Sequence, residues 1–140
     1  MNAVHILENK ISSVQGYLDG LKNYDKYTEK EIEEDIMIRR ALERDLYLLT
    51  QSTIDLAEAV VSYKKLRKPS AYKETFEILR DAGLIDNELT NKLTRMVGFR
   101  NVIAHEYIDL SYKRTYEVLI KDHQDIKEFL AQLKKNSNLL

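Results

Sequence analysis

The sequence predicts an all-α, up-and-down bundle of four to five helices in a single domain spanning residues 1–140. Three observations predict it. Apolar residues recur at three-and-four spacing along most of the chain, and no segment alternates as a strand would. Only four glycines and one proline, Pro69, interrupt that pattern, too few for a sheet protein full of turns. With 44% apolar and 32% charged residues over 140 positions, the chain has the composition and length of one ordinary globular domain.

The first helix carries the heptad stripe Val4, Leu7, Ile11, Val14, Leu18 and Leu21, with Gly20 near its end and residues 23–27 as a connection. Thr28 and Glu31 then form a capping box, and the acidic cluster from Glu29 to Asp35 complements the positive end of a helix. No strong breaker follows before Pro69, so one helix of about thirty residues or more is expected from Thr28 onward. Its apolar positions fall on several faces: Ile38, Leu42, Leu49, Leu56, Val60 and Tyr63 form one stripe, widened by Leu46, Ile54, Ala57 and Val61. Such a helix is central, or shared between core and subunit interface. Asp45, Gln51, Ser52 and Asp55 lie among these positions and either face solvent or bond locally, or one of them, Asp55 first, orients Arg100 or lines the same cleft. The basic run 64–68 reads as a solvated helix end, with a phosphate contact as the sharper alternative. Ser70 is placed as the cap of a short third helix, roughly 71–82, stopped by Gly83. Asp86 or Asn87 caps the fourth helix, and Asp109 or Ser111 the last, whose stripe is Tyr112, Tyr116, Leu119, His123, Ile126, Leu130 and Leu133.

Composition narrows function. There is no cysteine, which excludes disulfides and thiolate metal sites and suits a reducing compartment. The N-terminus does not read as a secretory leader, and no apolar run approaches the roughly 20 residues of a bilayer span. A formal net charge of −1 argues against general affinity for polyanions while allowing a local basic groove. His5 reads as a surface residue and His123 as a buried or interface one, and neither has a partner at metal-ligand spacing. No metal or cofactor is expected.

The chemistry concentrates in Arg100-Asn101-Val102-Ile103-Ala104-His105-Glu106-Tyr107. Read as a helix, Leu89, Leu93, Met96, Arg100, Ile103 and Tyr107 share one stripe, so a guanidinium occupies a position where an apolar residue belongs. A permanently charged group there calls for a counter-charge or an anion. Arg100 and His105, five positions apart, would diverge by about 140° and rise by about 7.5 Å on a continuous helix. They meet only if the helix ends near 104–107, or if two copies of the motif come together across a dimer. Gly98 suggests a close backbone approach, either there or against a neighbouring helix of the same chain. Without a metal, an imidazole can move a proton and a guanidinium can hold a phosphate, which suffices to cut RNA at its own 2′-hydroxyl.

The octapeptide matches an R-x4-H-x-Y pattern, with Gly98 two before the arginine and Asp109 two after the tyrosine. In this it resembles the HepT-like toxins, a branch of the HEPN superfamily. The specificity of the resemblance resides in residues 96–109, and helix order extends it over most of the chain. The resemblance implies a homodimer whose two motifs line one cleft. It implies a metal-independent endoribonuclease, the toxin of a toxin–antitoxin pair, acting on mRNA or tRNA in the cytoplasm. Arg100 and His105 would be its catalytic residues and Asn101 a supporting one. A minimal nucleotidyltransferase (MNT-type) antitoxin would be its partner, adding AMP to Tyr107. Two other readings remain: a non-catalytic, nucleotide-binding module that engages the nucleotidyltransferase, and a purely structural dimer in which Arg100 sits in a buried ion pair.

Overall fold

The computed structural model describes residues 3–105 and 112–137, with side chains described over 3–98 and 123–137. In chain order these residues form α1 (Ala3–Gly20), a 3-10 turn (Leu21–Tyr24), α2 (Glu29–Glu34), α3 (Ile36–Tyr63), α4 (Tyr72–Asp81), α5 (Asn87–His105) and α6 (Tyr112–Ser137). No strand occurs among the described residues.

The expected long second helix is divided. Thr28 and Glu31 form their capping box, but the helix they start stops at Glu34. Asp35 is extended (φ −105°, ψ 105°), and its carboxylate accepts from the amides of Met37 and Ile38 at 2.9 and 3.2 Å. A short acidic side chain that can bond its own following amides favours a cap over a helix interior. That local competition raises the helix count to six α-helices among the described residues.

α3 is the axis of the bundle: α1, α2, α4, α5, α6 and the 3-10 turn all pack on it. Leu42, Leu46, Leu49, Ile54, Leu56, Ala57, Val60 and Val61 are buried on several of its sides. Polar residues survive in this surround because they are satisfied at home. The hydroxyls of Thr50, Ser52 and Thr53 donate to the carbonyls of Leu46 and Leu49 at 2.8–2.9 Å. α1 lays Leu7, Ile11, Val14 and Leu18 against α3, while Val4, at the head of the expected stripe, is 43% exposed.

The ends of the bundle follow from paired contacts. Where α1 gives way to the 3-10 turn, the Tyr24 hydroxyl donates to Asp45 at 2.5 Å, near the start of α3. Burial, then that hydrogen bond, raises the phenol pKa above its ordinary value, so the proton stays on tyrosine. α5 and α6 run antiparallel. Asn136 donates to the Leu84 carbonyl at 3.0 Å, Gln132 exchanges hydrogen bonds with Asp86, and Lys92 approaches Asp125 at 4.0 Å. Phe76 of α4 meets Phe129 of α6 edge to face at 5.9 Å, tying the short helix to this pair.

α3 ends before the basic run. Lys64 is its C-cap, Lys65 turns left-handed at φ 55°, and Leu66 donates back to the Val61 carbonyl at 3.0 Å. This is a Schellman ending with lysine where glycine is favoured. Ser70 does not cap α4. Ala71 does so in an extended conformation, and the Ser70 hydroxyl donates instead to Glu74, which is also paired with Arg67. Hydrogen bonds from Ser70 and then Arg67 hold the Glu74 carboxyl below its ordinary pKa. Gly83 stops the helix as expected, at φ 78°.

His123, on α6, is half-buried, within the field of Asp25 and Lys22 beside the 3-10 turn and of Lys127 on its own helix. Burial, then Lys127, lowers its pKa from the ordinary 6.5, with Asp25 opposing and Lys22 assisting. The unfolded chain therefore binds this proton more readily than the folded one. Stability contributed by neutral His123 is complete above the unfolded value and is lost as the pH falls through 6.5 toward the folded value. Urea denaturation of the wild type and His123→Gln between about pH 8 and pH 5 is expected to show the wild type losing stability more steeply. Parallel curves would mean that His123 is equally easy to protonate in both states.

Candidate functional site

α5 carries the motif, and its start is set by Asp86. The Asp86 carboxylate accepts from the Leu89 amide at 2.8 Å and its carbonyl from the Thr90 amide at 3.1 Å, resolving the choice between Asp86 and Asn87. One face of the helix is sealed into the core: Leu89, Thr90, Leu93, Met96 and Val97 are all buried. Asn91, Arg95 and Gly98 are exposed on the other face.

That register continues into the motif, because α5 remains helical through His105. Arg100 stands 11, 7 and 4 positions after Leu89, Leu93 and Met96, so its Cα falls within about 40° of each. On a helical wheel this continues the line of the buried positions 89–96. His105 stands 11 and 7 positions after Thr94 and Gly98, within about 20° of both. It continues the line where the half-buried Thr94 gives way to exposed Gly98. Asn101 follows the same edge, one turn before His105. The side chains of Arg100, Asn101 and His105 lie outside the described residues, as do residues 106–111 altogether, which include Tyr107, Asp109 and Ser111.

The backbone decides one point that spacing left open. Between Arg100 and His105 the helix does not unwind. The two Cα atoms are therefore about 140° apart around one axis, and α5 alone does not turn both residues toward the same side. Gly98 also differs from one of its expectations: a Cβ built there meets nothing within 4 Å among the described residues, so no described neighbour requires the glycine.

The polar residues of α3 resolve locally. Gln51 donates to Asp55 at 2.9 Å and Ser52 bonds the Leu49 carbonyl, leaving Asp45 as the acceptor for Tyr24. His5 is exposed and 3.7 Å from Glu8. A groove of about 820 Å³ lies where α3 passes into α4, lined by Val61, Lys65, Lys68, Pro69 and Tyr72 among others. Val61 belongs to the apolar stripe of α3, Pro69 is its breaker, and Lys65 and Lys68 belong to the basic run. Tyr72 carries no sequence signal, since a single tyrosine at a helix start has no periodicity.

Comparison with known proteins places this geometry. The family model described as Ribonuclease HepT-like matches residues 14–133. The chain is 23% identical over 130 residues to the mRNA nuclease HepT of Shewanella oneidensis, covering 92% of this chain and 96% of that protein. It is 26% identical over 135 residues to the tRNA nuclease HepT of Aphanizomenon flos-aquae, covering 96% and 90%. The tri-AMPylated HEPN toxin of Shewanella oneidensis, solved in complex with its MNT antitoxin, superposes with a TM-score of 0.84 at 23% identity, over 97% of this chain and 100% of that one. That likeness establishes the fold.

Gly98→Ala tests what the exposed notch on α5 is for. Nothing described obstructs the added methyl, so denaturation of the variant should show stability raised by up to about 1 kcal/mol from helix propensity. A clear loss would reveal close packing against that notch.

Proposed function

The chain belongs to the HepT-like ribonuclease family, and from that premise we propose that it is the toxin of a toxin–antitoxin pair, an endoribonuclease that uses Arg100 and His105 without a metal. The observation that carries this reading is the coincidence of two facts. The R-x4-H-x-Y octapeptide lies inside the matched span, and helical register carries Arg100 along the line of the buried Leu89, Leu93 and Met96, with His105 about 140° around the axis. An always-charged guanidinium on that register needs an anion or an acid, and a scissile phosphate is such an anion.

Because one continuous helix separates the two residues, the cleft is completed by a second copy, with residues 1–140 acting as one helical domain in a cytoplasmic homodimer. His105 takes the proton of the ribose 2′-hydroxyl as that oxygen attacks the adjacent phosphorus. The bond from phosphorus to the 5′-oxygen breaks, and an imidazolium of the shared cleft returns a proton to the leaving oxygen. The products carry a 2′,3′-cyclic phosphate and a 5′-hydroxyl. Arg100 binds the phosphate and stabilises the charge that grows on it. Asn101, on the same edge as His105, supports the motif. No described helix is long and apolar enough to cross a membrane.

Control falls to Tyr107. A nucleotidyltransferase antitoxin adds AMP there: the phenol oxygen attacks the α-phosphorus of ATP and pyrophosphate leaves. The added nucleotide fills the cleft and brings negative charge beside the catalytic pair, which repels RNA. The mRNA and tRNA nucleases among the relatives, and the AMPylated toxin bound to its antitoxin, support this reading.

Two measurements test it. Purified dimer with chelator and defined RNA should cleave, and His105→Ala should lower the rate by about two to four orders of magnitude. Arg100→Ala should leave a folded dimer that no longer cuts. Cleavage unchanged in His105→Ala would sink the assignment. Co-expression with the neighbouring nucleotidyltransferase should add AMP-sized mass to the chain, and Tyr107→Phe should abolish the addition. Persisting mass in that variant would move the modification to another residue.

A further inference from the structure

A ribonuclease with a formal net charge of −1 cannot rely on its overall field to gather a polyanion, so its affinity has to be concentrated locally. The chain concentrates cations in one place. Five of the ten residues 64–73 are lysine or arginine and none is acidic, a density reached in no other ten-residue window of the sequence. In the structure this run folds into the groove between the end of α3 and the start of α4, about 820 Å³ in volume. Lys65 and Lys68 line it together with Tyr72, which is 39% exposed, and the hydroxyl-bearing Ser62 and Ser70.

Three features distinguish this groove from a solvated helix end. Lys65 holds a left-handed backbone at φ 55°, where glycine would relieve strain, so a cation is kept at a conformational cost. Arg67 is paired with Glu74, but among the described residues neither Lys65 nor Lys68 has an ion-pair partner. Among the described lining residues one carboxylate, Glu58, stands against the two lysines, so the described lining carries a net positive charge.

We propose that this groove is an accessory RNA-docking site, in which Lys65 and Lys68 neutralise backbone phosphates and Tyr72 stacks on a base. The inference rests on the ribonuclease reading and extends it to substrate choice. A groove lined by a tyrosine ring and by two ammonium groups without an ion-pair partner among the described residues suits a strand that presents phosphates and π-faces together. The antiparallel pairing of α5 with α6 runs the motif away from Leu84 and Asp86 and past the level of His123, beside the 3-10 turn. α3 passes that turn at Asp45 and ends at the groove, so the groove and the described part of the motif, residues 100–105, lie toward opposite ends of the bundle. An RNA engaged at both must exceed the few nucleotides around the cut, which favours long or folded substrates over short oligonucleotides.

The test uses the full-length His105→Ala dimer, a fluorescently labelled single-stranded RNA and anisotropy over a salt series. Adding Lys65→Gly and Lys68→Gln should weaken binding by roughly fivefold or more and flatten the slope of log affinity against log salt by about 1.4, the share of two phosphate contacts. Misfolding is controlled within the design. Lys65→Gly relieves a left-handed lysine, so the thermal midpoint should hold or rise while affinity falls. Tyr72→Phe should bind like the parent and Tyr72→Ala several-fold more weakly. Unchanged affinity and slope in the lysine variant would overturn the site. So would displacement of the RNA by polyglutamate as readily as by polyuridine, which would assign the groove to an acidic protein surface. Wild-type cleavage assayed in parallel separates the two readings. A chain that cuts RNA but ignores the lysine changes loses only the docking site, whereas one that binds through these lysines and cuts nothing loses only the nuclease.

Discussion

Every other helix of this protein packs on α3, and the bundle depends on that helix being apolar on more than one side. Along its middle, residues 45–57, no position is fully exposed, so the polar residues there cannot simply face solvent. Thr50, Ser52 and Thr53 answer the constraint by bonding carbonyls one turn back, which leaves their methyl and methylene groups for packing. The arrangement also sets the length of the axis. Asp35 begins it and the Schellman turn at Lys64–Leu66 ends it, so α1, α4, α5 and α6 are all measured against one rod of 28 residues.

The second constraint lies in α5. Its first half is an ordinary core helix, sealed by Leu89, Leu93 and Met96, and the same register then delivers an arginine. Hydrophobic burial rewards that face through Met96 and Val97, and a permanent charge continuing the same register calls for a counter-charge or a bound anion. Because the helix continues through His105, the chain divides its two chemical groups around one axis. In the proposed mechanism this division makes assembly of two copies a condition of activity and gives the antitoxin a single cleft to block.

Charge is also divided along the bundle. The acidic residues around α2 gather at the end where α3 starts, and the basic run 64–73 at the end where it finishes. Each cluster complements the helix terminus it adjoins. A near-zero net charge therefore conceals a molecule with two unlike ends, and the basic end is concave whereas α2 is a short, mostly exposed helix.

The sequence by itself determined the class of fold and most helix starts and stops. Periodicity, the capping box at Thr28 and Glu31, a cap at Asp86 or Asn87 and the stop at Gly83 are properties of a few neighbouring residues. It also singled out the octapeptide, since an arginine on an apolar stripe conflicts with its surroundings whatever the tertiary structure. Less was legible where two local solutions competed: Asp35 split the expected long helix, and Ala71 rather than Ser70 became a cap because the serine hydroxyl found Glu74. Only the tertiary structure decided that α3 is the shared axis, that Asp45 receives Tyr24 while Asp55 pairs with Gln51, and that Lys65, Lys68 and Tyr72 border one groove. The physical reason is common to all three. Spacing assigns a residue to a face of its own helix, but which faces are covered, and which meet around a hollow, is settled by contacts between elements distant in the chain.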